Sequence, residues 1–201
     1  MGLRINDTIP NLHVETDQGS FDLHGWIGDS WAIVFSHPQD FTPVCPTEFG
    51  DVAQLAAEWE KRGTKVIGLS VDDVEEHVVW KRDIEQFAKA KAGFPIIADK
   101  SLAVAKALDM LPAEAYLPDG CTAADSASVR VVFIISPDKN LQLSMTYPMS
   151  VGRNFAAVLR ALDALQTTYK TPTATPATRA QGQNDRGTLS LNSADAGENF
   201  G

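Results

Sequence analysis

Two stretches of the chain are apolar almost without interruption and too short for helices: Trp31-Ala32-Ile33-Val34-Phe35 and Lys65-Val66-Ile67-Gly68-Leu69-Ser70-Val71. A third, Ser128 to Ser136, is broken only by Arg130. Such runs are the pattern of strands buried on both faces. Pro95 to Ala98 reads as a shorter strand. Residues 12–23 alternate weakly around Asp17-Gln18-Gly19, which predicts a hairpin, because glycine accepts the positive φ such turns need. Pro137-Asp138-Lys139-Asn140 predicts a turn that folds a strand over 141–147 back onto 128–136.

Between these strands the apolar spacing changes to three and four. Phe49, Val52, Ala56 and Trp59 form one stripe and predict a helix from about Cys45 to Arg62-Gly63, with Pro46 in its first turn. Asp72-Asp73 offers a cap for a helix to about Ala90, with Val78, Trp80, Ile84 and Phe87 inward. A short helix is expected over 101–108. A last one is expected from about Gly152 to Tyr169, carrying Phe155, Val158, Leu159, Leu162 and Leu165. Residues 24–30 and 112–128 read as loops. Strands alternating with helices, then a hairpin and a helix, predict a mixed α/β sandwich.

Composition narrows the function classes. The chain has 201 residues, 44% hydrophobic and 21% charged, with a net charge of −9. That balance fills a core and argues against sequence-independent nucleic-acid binding, which needs a basic surface. No stretch approaches the roughly 20 apolar residues of a membrane span. The N-terminal residues lack the apolar core of a secretory signal, and Asn6 stands where a myristoylation pattern wants Ser or Thr, so the expected location is the cytoplasm. After Lys170 the chain turns Thr/Pro-rich and then polar, with Leu189 and Leu191 as its few apolar anchors. One folded domain over 1–170 and a tail or partner-contacting arm over 171–201 are expected.

The two cysteines are Cys45 and Cys121. Cys45 stands where a strand ends, a Pro-rich turn intervenes and a helix begins. The first N–H groups of a helix lack intrahelical partners, and its dipole makes that end electropositive. Thiols held at such positions ionise more readily than free ones and are nucleophiles near neutral pH. Against this stands the buried, inert cysteine, which is common. The histidines His13, His24, His37 and His77 show no metal-ligand spacing, and no metal or other cofactor is expected.

Pro38-x-x-x-Thr42-x-x-Cys45 followed by Glu48 resembles the active-site signature of the peroxiredoxins. The surrounding Phe35-Ser36-His37-Pro38-x-Asp40-Phe41-Thr42-Pro43-Val44-Cys45 is most similar to the one-cysteine, peroxiredoxin-6-type subgroup, as are residues 129–139 and Tyr147-Pro148-x-x-x-Gly152-Arg153-Asn154-Phe155. The resemblance spans roughly residues 3–175.

It implies a thioredoxin-like sandwich, a central mixed sheet flanked by helices, and a thiol-dependent peroxidase acting on hydrogen peroxide and organic hydroperoxides. Cys45 would attack the peroxide and become a sulfenic acid. Arg130 would favour the thiolate and hold the peroxide oxygens, Thr42 would align the peroxide, and Pro38 would shield the site. Glu48 would orient Arg130 and Arg153, and His37 would tune the thiol or meet the reductant.

This sequence has no cysteine after Cys121, so the C-terminal resolving step of two-cysteine members is missing. An external thiol is then expected: glutathione, glutaredoxin or a thioredoxin-like protein. Cys121 as an internal resolving thiol is the less favoured alternative. A homodimer, or a larger ring, is implied, with the C-terminal arm shortened or altered.

Three other readings compete. A peroxide sensor or chaperone-like switch would use the same cysteine. A thioredoxin-fold binding module would tolerate its loss. Gly28-Asp29-Ser30-Trp31-Ala32 resembles a hydrolase elbow, with His24 and Asp138 at the positions of its partners in relatives credited with phospholipase activity. An elbow serine follows a strand and opens a helix, whereas Ser30 is expected just before a strand, which favours a turn serine.

Overall fold

The computed structural model describes residues 2–41, 44–116, 126–171 and 174–175. Thr42, Cys121 and the tail from Pro176 onward, on which expectations were placed above, lie outside them. The chain divides into two compact units, Met1–Phe155 and Ala156–Gly201.

The first unit is built on one seven-stranded sheet. Its strands are β1 (His13–Thr16), β2 (Gly19–Asp22), β3 (Trp31–Ser36), β4 (Thr64–Ser70), β5 (Ile96–Ala98), β6 (Arg130–Ile135) and β7 (Leu141–Tyr147), in the order β2-β1-β5-β4-β3-β6-β7. β4 runs parallel to both β3 and β5, and the other pairings are antiparallel, so the sheet is mixed as expected. Every residue of β3 and of β6 is buried, which explains why their sequences do not alternate.

Alternate residues of β3 serve two cores. Ala32 and Val34 join Leu23, Ile27, Ile67, Ala105 and Phe133 in one apolar cluster, which takes in helices α1 (Leu23–Ile27) and α5 (Ala103–Ala107). Phe35 points the other way, into an aromatic cluster with Phe49, Phe94 and Phe155. Phe49 lies on helix α2 (Cys45–Gln54) and meets Trp80 of helix α4 (Val74–Ala88) at a ring-centroid distance of 4.6 Å. Helices therefore lie on both faces of the sheet. Among the described residues, no helix is long and apolar enough to cross a membrane.

Three expectations need correction. Residues 24–30 are not all loop: α1 forms because Leu23 and Ile27, one helical turn apart, are both buried, and it ends at Gly28 with φ +57°. The single helix expected from Cys45 to Arg62 is two, broken at Leu55, with α3 (Ala56–Lys61) leaving Ala56 exposed.

The third correction concerns α4. It is capped as expected, with Asp73 accepting from the Glu76 amide and Glu76 accepting from the Asp73 amide. Its inward stripe, however, is His77, Trp80, Lys81, Ile84 and Ala88, while Val78 is 37% and Phe87 63% exposed. The polar members are buried because each has a partner. Lys81 bridges Asp17 and the Phe94 carbonyl, and His77 reaches Asp40. The second unit contains most of helix α6 (Phe155–Lys170), in which Val158 and Leu162 are buried.

Candidate active site

The antiparallel register of β3 and β6, Ala32 opposite Ile135 through Phe35 opposite Val132, lays the start of β6 beside the end of β3. Ser36 locks the corner, its hydroxyl donating to the Val129 carbonyl and accepting from the Val131 amide, while Ser128 donates to the His37 carbonyl. Arg130, the first residue of β6, is thereby carried to the point where the chain leaves β3 for α2. Cys45 is the first residue of α2, followed by Pro46 in the first turn.

Cys45 is wholly buried. Arg130 Nη1 lies 3.3 Å from its Sγ and donates to Glu48 Oε2 at 2.6 Å, while Nε donates to the Met149 carbonyl at 2.7 Å. Glu48, three residues into α2, also receives Nε, Nη2 and the backbone amide of Arg153 at 2.9, 2.8 and 2.6 Å. Arg153 is held in turn by the Val131 carbonyl and lies against the rings of Phe35 and Phe155, 5.5 Å from each centroid. Burial alone would push the Glu48 carboxyl up. The hydrogen bonds and charges of Arg153, with that of Arg130, outweigh it and hold the group below the ordinary carboxylate range.

Two guanidiniums against one carboxylate leave a net positive charge beside Cys45, and Arg130 aims Nη1 at the sulfur. The arrangement offers an N–H group to charge that develops on an oxygen next to the sulfur.

The structure thus brings Cys45, Arg130, Glu48 and Arg153 together. Pro38 is buried in the segment between β3 and α2. Thr42 lies outside the described residues. His37 is near in sequence, but the contacts it makes run elsewhere. It donates from Nε2 to Asp40 Oδ1 at 2.7 Å, stacks on Trp80 and meets Phe49 edge-on.

Behind His37 is a buried polar group that sequence reasoning missed. Asp40 Oδ2 accepts from His77 Nδ1 at 2.7 Å, and the Asp40 amide donates to Asp72 Oδ2, which also accepts from Ser70. Ligand atoms of His37, Asp40 and Asp72 lie within 4.8 Å of one another. The hydrogen bonds just described occupy both Asp40 oxygens and Asp72 Oδ2, so these groups form a hydrogen-bonded network. A signal for His77 was present: it shares the helical face of Trp80, Ile84 and Ala88.

The hydrolase-like constellation is not assembled in this way. Ser30 follows a helix and precedes a strand, and His24 Nε2 is bonded to the Ile9 carbonyl at 2.8 Å.

Residues 5–144 match the model of the AhpC/TSA family. The chain is 46% identical to peroxiredoxin-6 of Gallus gallus over 87% of its own length and 78% of that protein's. It is 48% identical to the mitochondrial peroxiredoxin PRX1 of Saccharomyces cerevisiae over 87% of its own length and 66% of that protein's. Among solved structures it resembles a Cys-to-Ser variant of peroxiredoxin 6 from Arenicola marina, with TM-score 0.86, 37% identity and coverage of 98% of this chain and 89% of the other. It also resembles a yeast mitochondrial one-cysteine peroxiredoxin described as resolved through glutathione/thioredoxin systems, with TM-score 0.81, 44% identity and coverage of 91% and 85%. With a buried thiol opening α2 under an arginine from β6, on a thioredoxin-like sheet, the chain belongs to the AhpC/TSA family and, within it, to the one-cysteine peroxiredoxins.

Proposed function

We propose that this chain is a thiol-dependent peroxidase that reduces hydrogen peroxide and organic hydroperoxides through Cys45. The observation that carries the reading is the Arg130 guanidinium 3.3 Å from the buried Cys45 sulfur, with Glu48 fixing its orientation. The Cys45 thiolate attacks one peroxide oxygen, an S–O bond forms as the O–O bond breaks, and the departing alkoxide or hydroxide leaves as an alcohol or water after taking a proton. Arg130 offers its donors to the charge that develops on those oxygens. Thr42 aligns the peroxide and Pro38 keeps bulk water out. Cys45 is left as a sulfenic acid.

An external thiol completes the cycle. It displaces the sulfenic oxygen as water to give a mixed disulfide, and a second thiol then regenerates Cys45 and leaves as the oxidised reductant. Glutathione, a glutaredoxin and a thioredoxin-like protein are the candidate reductants, and the yeast relative's glutathione/thioredoxin systems favour that class. We further infer a cytoplasmic homodimer. Among the described residues β7 ends the sheet order, with Asn6 and Asp7 bonded to its first residue Leu141, so the rest of it offers an edge to a second copy, with residues 171–201 as an arm beyond the 1–170 domain.

The deciding experiment is peroxide consumption with each thiol system in turn, on wild type and Cys45→Ser. Repeated turnover by wild type and none by the variant is expected. A single oxidation of Cys45 with no turnover under any thiol would instead mark a peroxide-sensing switch. Elution at micromolar protein as a strict monomer would defeat the dimer.

A further inference from the structure

The protons of the buried histidines can be assigned from their partners. His77 has Nδ1 on Asp40 Oδ2 at 2.7 Å and Nε2 on the Ile97 carbonyl at 3.2 Å. Both partners are acceptors, so both nitrogens must donate and the ring is a cation. His37 donates from Nε2 to Asp40 Oδ1, its buried Nδ1 has no hydrogen-bond partner among the described residues, and burial beside the charged His77 disfavours a second proton, so we assign that nitrogen the lone pair. One carboxylate therefore serves one charged and one neutral histidine. All three side chains are fully excluded from solvent.

Asp40 belongs to the segment that runs from β3 to Cys45. Through its carboxylate and its amide it ties that segment to α4, by His77, and to the end of β4, by Asp72 and Ser70. The segment is also held at His37, whose carbonyl accepts from Ser128 and whose amide donates to the Leu69 carbonyl, and Asp40 extends that hold towards Cys45. We propose that His77 is a positioning residue for the peroxidase reaction: as an imidazolium between Asp40 and the Ile97 carbonyl it keeps Asp40 charged, and Asp40 clamps residues 37–41 on the way to Cys45 and holds His37 with its proton on Nε2.

The groups facing His77 are Asp40 and His37 from that segment, Asp72 and Asp73 from the turn before α4, and the Ile97 carbonyl from β5. Burial opposes a charge on His77, yet the Asp40 hydrogen bond and the neighbouring carboxylates raise it above its usual 6.5. Burial lowers His37, and the nearby charge of His77 lowers it further. The clamp is thus complete below His77's usual value and is lost as pH rises through its raised one. It also persists on the acid side, because the two histidine bonds outweigh burial and hold Asp40 below its usual 3.8.

The proposal rests on the peroxidase reading, and two measurements test it. Nitrogen-resolved NMR of the reduced wild type at about pH 6 is expected to show protons on both nitrogens of His77 and on Nε2 alone of His37. Stopped-flow oxidation of Cys45 by hydrogen peroxide, followed by tryptophan fluorescence because Trp80 stacks on His37, is expected to slow on the alkaline side in wild type.

In His77→Asn, whose amide keeps a donor near the position of Nδ1, that alkaline limb disappears. His37 then takes its second proton at higher pH than in wild type, and the rate at neutral pH falls roughly tenfold, the scale of a small misplacement. A single ring proton on wild-type His77, or the same pH profile in both proteins, overturns the proposal. If the variant does not fold, the wild-type spectrum decides alone. A wild type inert to peroxide overturns the peroxidase reading and the positioning role with it, whereas an active wild type whose profile matches the variant's overturns only the latter.

Discussion

Arg130 Nη1 stands 3.3 Å from Cys45 Sγ although 85 positions separate the two residues. The contact exists because β6 runs antiparallel to β3, which sets the first residue of one strand beside the last of the other. The same nitrogen also donates to Glu48 and the same side chain to the Met149 carbonyl, so the guanidinium has one permitted orientation.

Arg130→Lys keeps the charge and loses the fork, since one ammonium cannot satisfy Cys45, Glu48 and the Met149 carbonyl in the same geometry. The rate constant for Cys45 oxidation is expected to fall by about a hundredfold, the usual scale for losing an aligned donor. Stopped-flow mixing with hydrogen peroxide measures it; a loss under threefold would show that charge alone suffices.

Glu48→Gln leaves Arg130 and Arg153 buried without their shared anion. Breaking a buried pair from one side is expected to cost about 3 kcal/mol, read as a shift in the urea midpoint at neutral pH.

The same carboxylate sets an acid limit. Glu48 titrates below its ordinary 4.5 in the folded protein, so its stabilisation is present above that value and is lost as pH falls through the lowered one. Unfolding free energies taken from neutral pH to about 3 should drop more steeply for wild type than for Glu48→Gln. Parallel curves would place the acid sensitivity elsewhere.

Gly68 has no room for a side chain, since a Cβ there would meet Phe49 Cζ at 3.0 Å and Cε1 at 3.2 Å. That ring is boxed in by Phe35, Phe94, His37 and Trp80 and cannot swing aside. Gly68→Ala is expected to destabilise by about 2 kcal/mol through overpacking, seen as a lowered melting temperature.

Asp73→Ala removes one side of the α4 capping box and is expected to cost about 1 kcal/mol. Asp73→Asn should restore most of it, because an amide oxygen still accepts from the Glu76 amide. If Asn gave no recovery, the loss would belong to the charge and not to the cap.

Much of the sheet was legible because β3, β4 and β6 are buried on both faces and announce it as unbroken apolar runs. The ends of α4 were legible for a local reason, since Asp73 and Glu76 cap within a single turn. Its inward face was misjudged. Val78 and Phe87 are apolar and exposed, while His77 and Lys81 are polar and buried, because Asp40 and Asp17 arrive from distant parts of the chain to satisfy them. α1 was missed because five residues with an internal glycine carry almost no periodicity, and the break at Leu55 because a continuous stripe hides it.

The sequence by itself determined the strand pattern, the place of a cysteine at a strand-to-helix turn, and the likeness to a peroxidase family through motifs that are local in the chain. Tertiary structure decided which nitrogen of Arg130 meets the sulfur, how one carboxylate of Glu48 holds two arginines, and that Asp40 lies between a charged and a neutral histidine. The physical reason is that these are contacts between elements far apart in sequence. Their energies depend on burial and on distances of about 3 Å, which strand register and helix packing set and which no local spacing of residue types records.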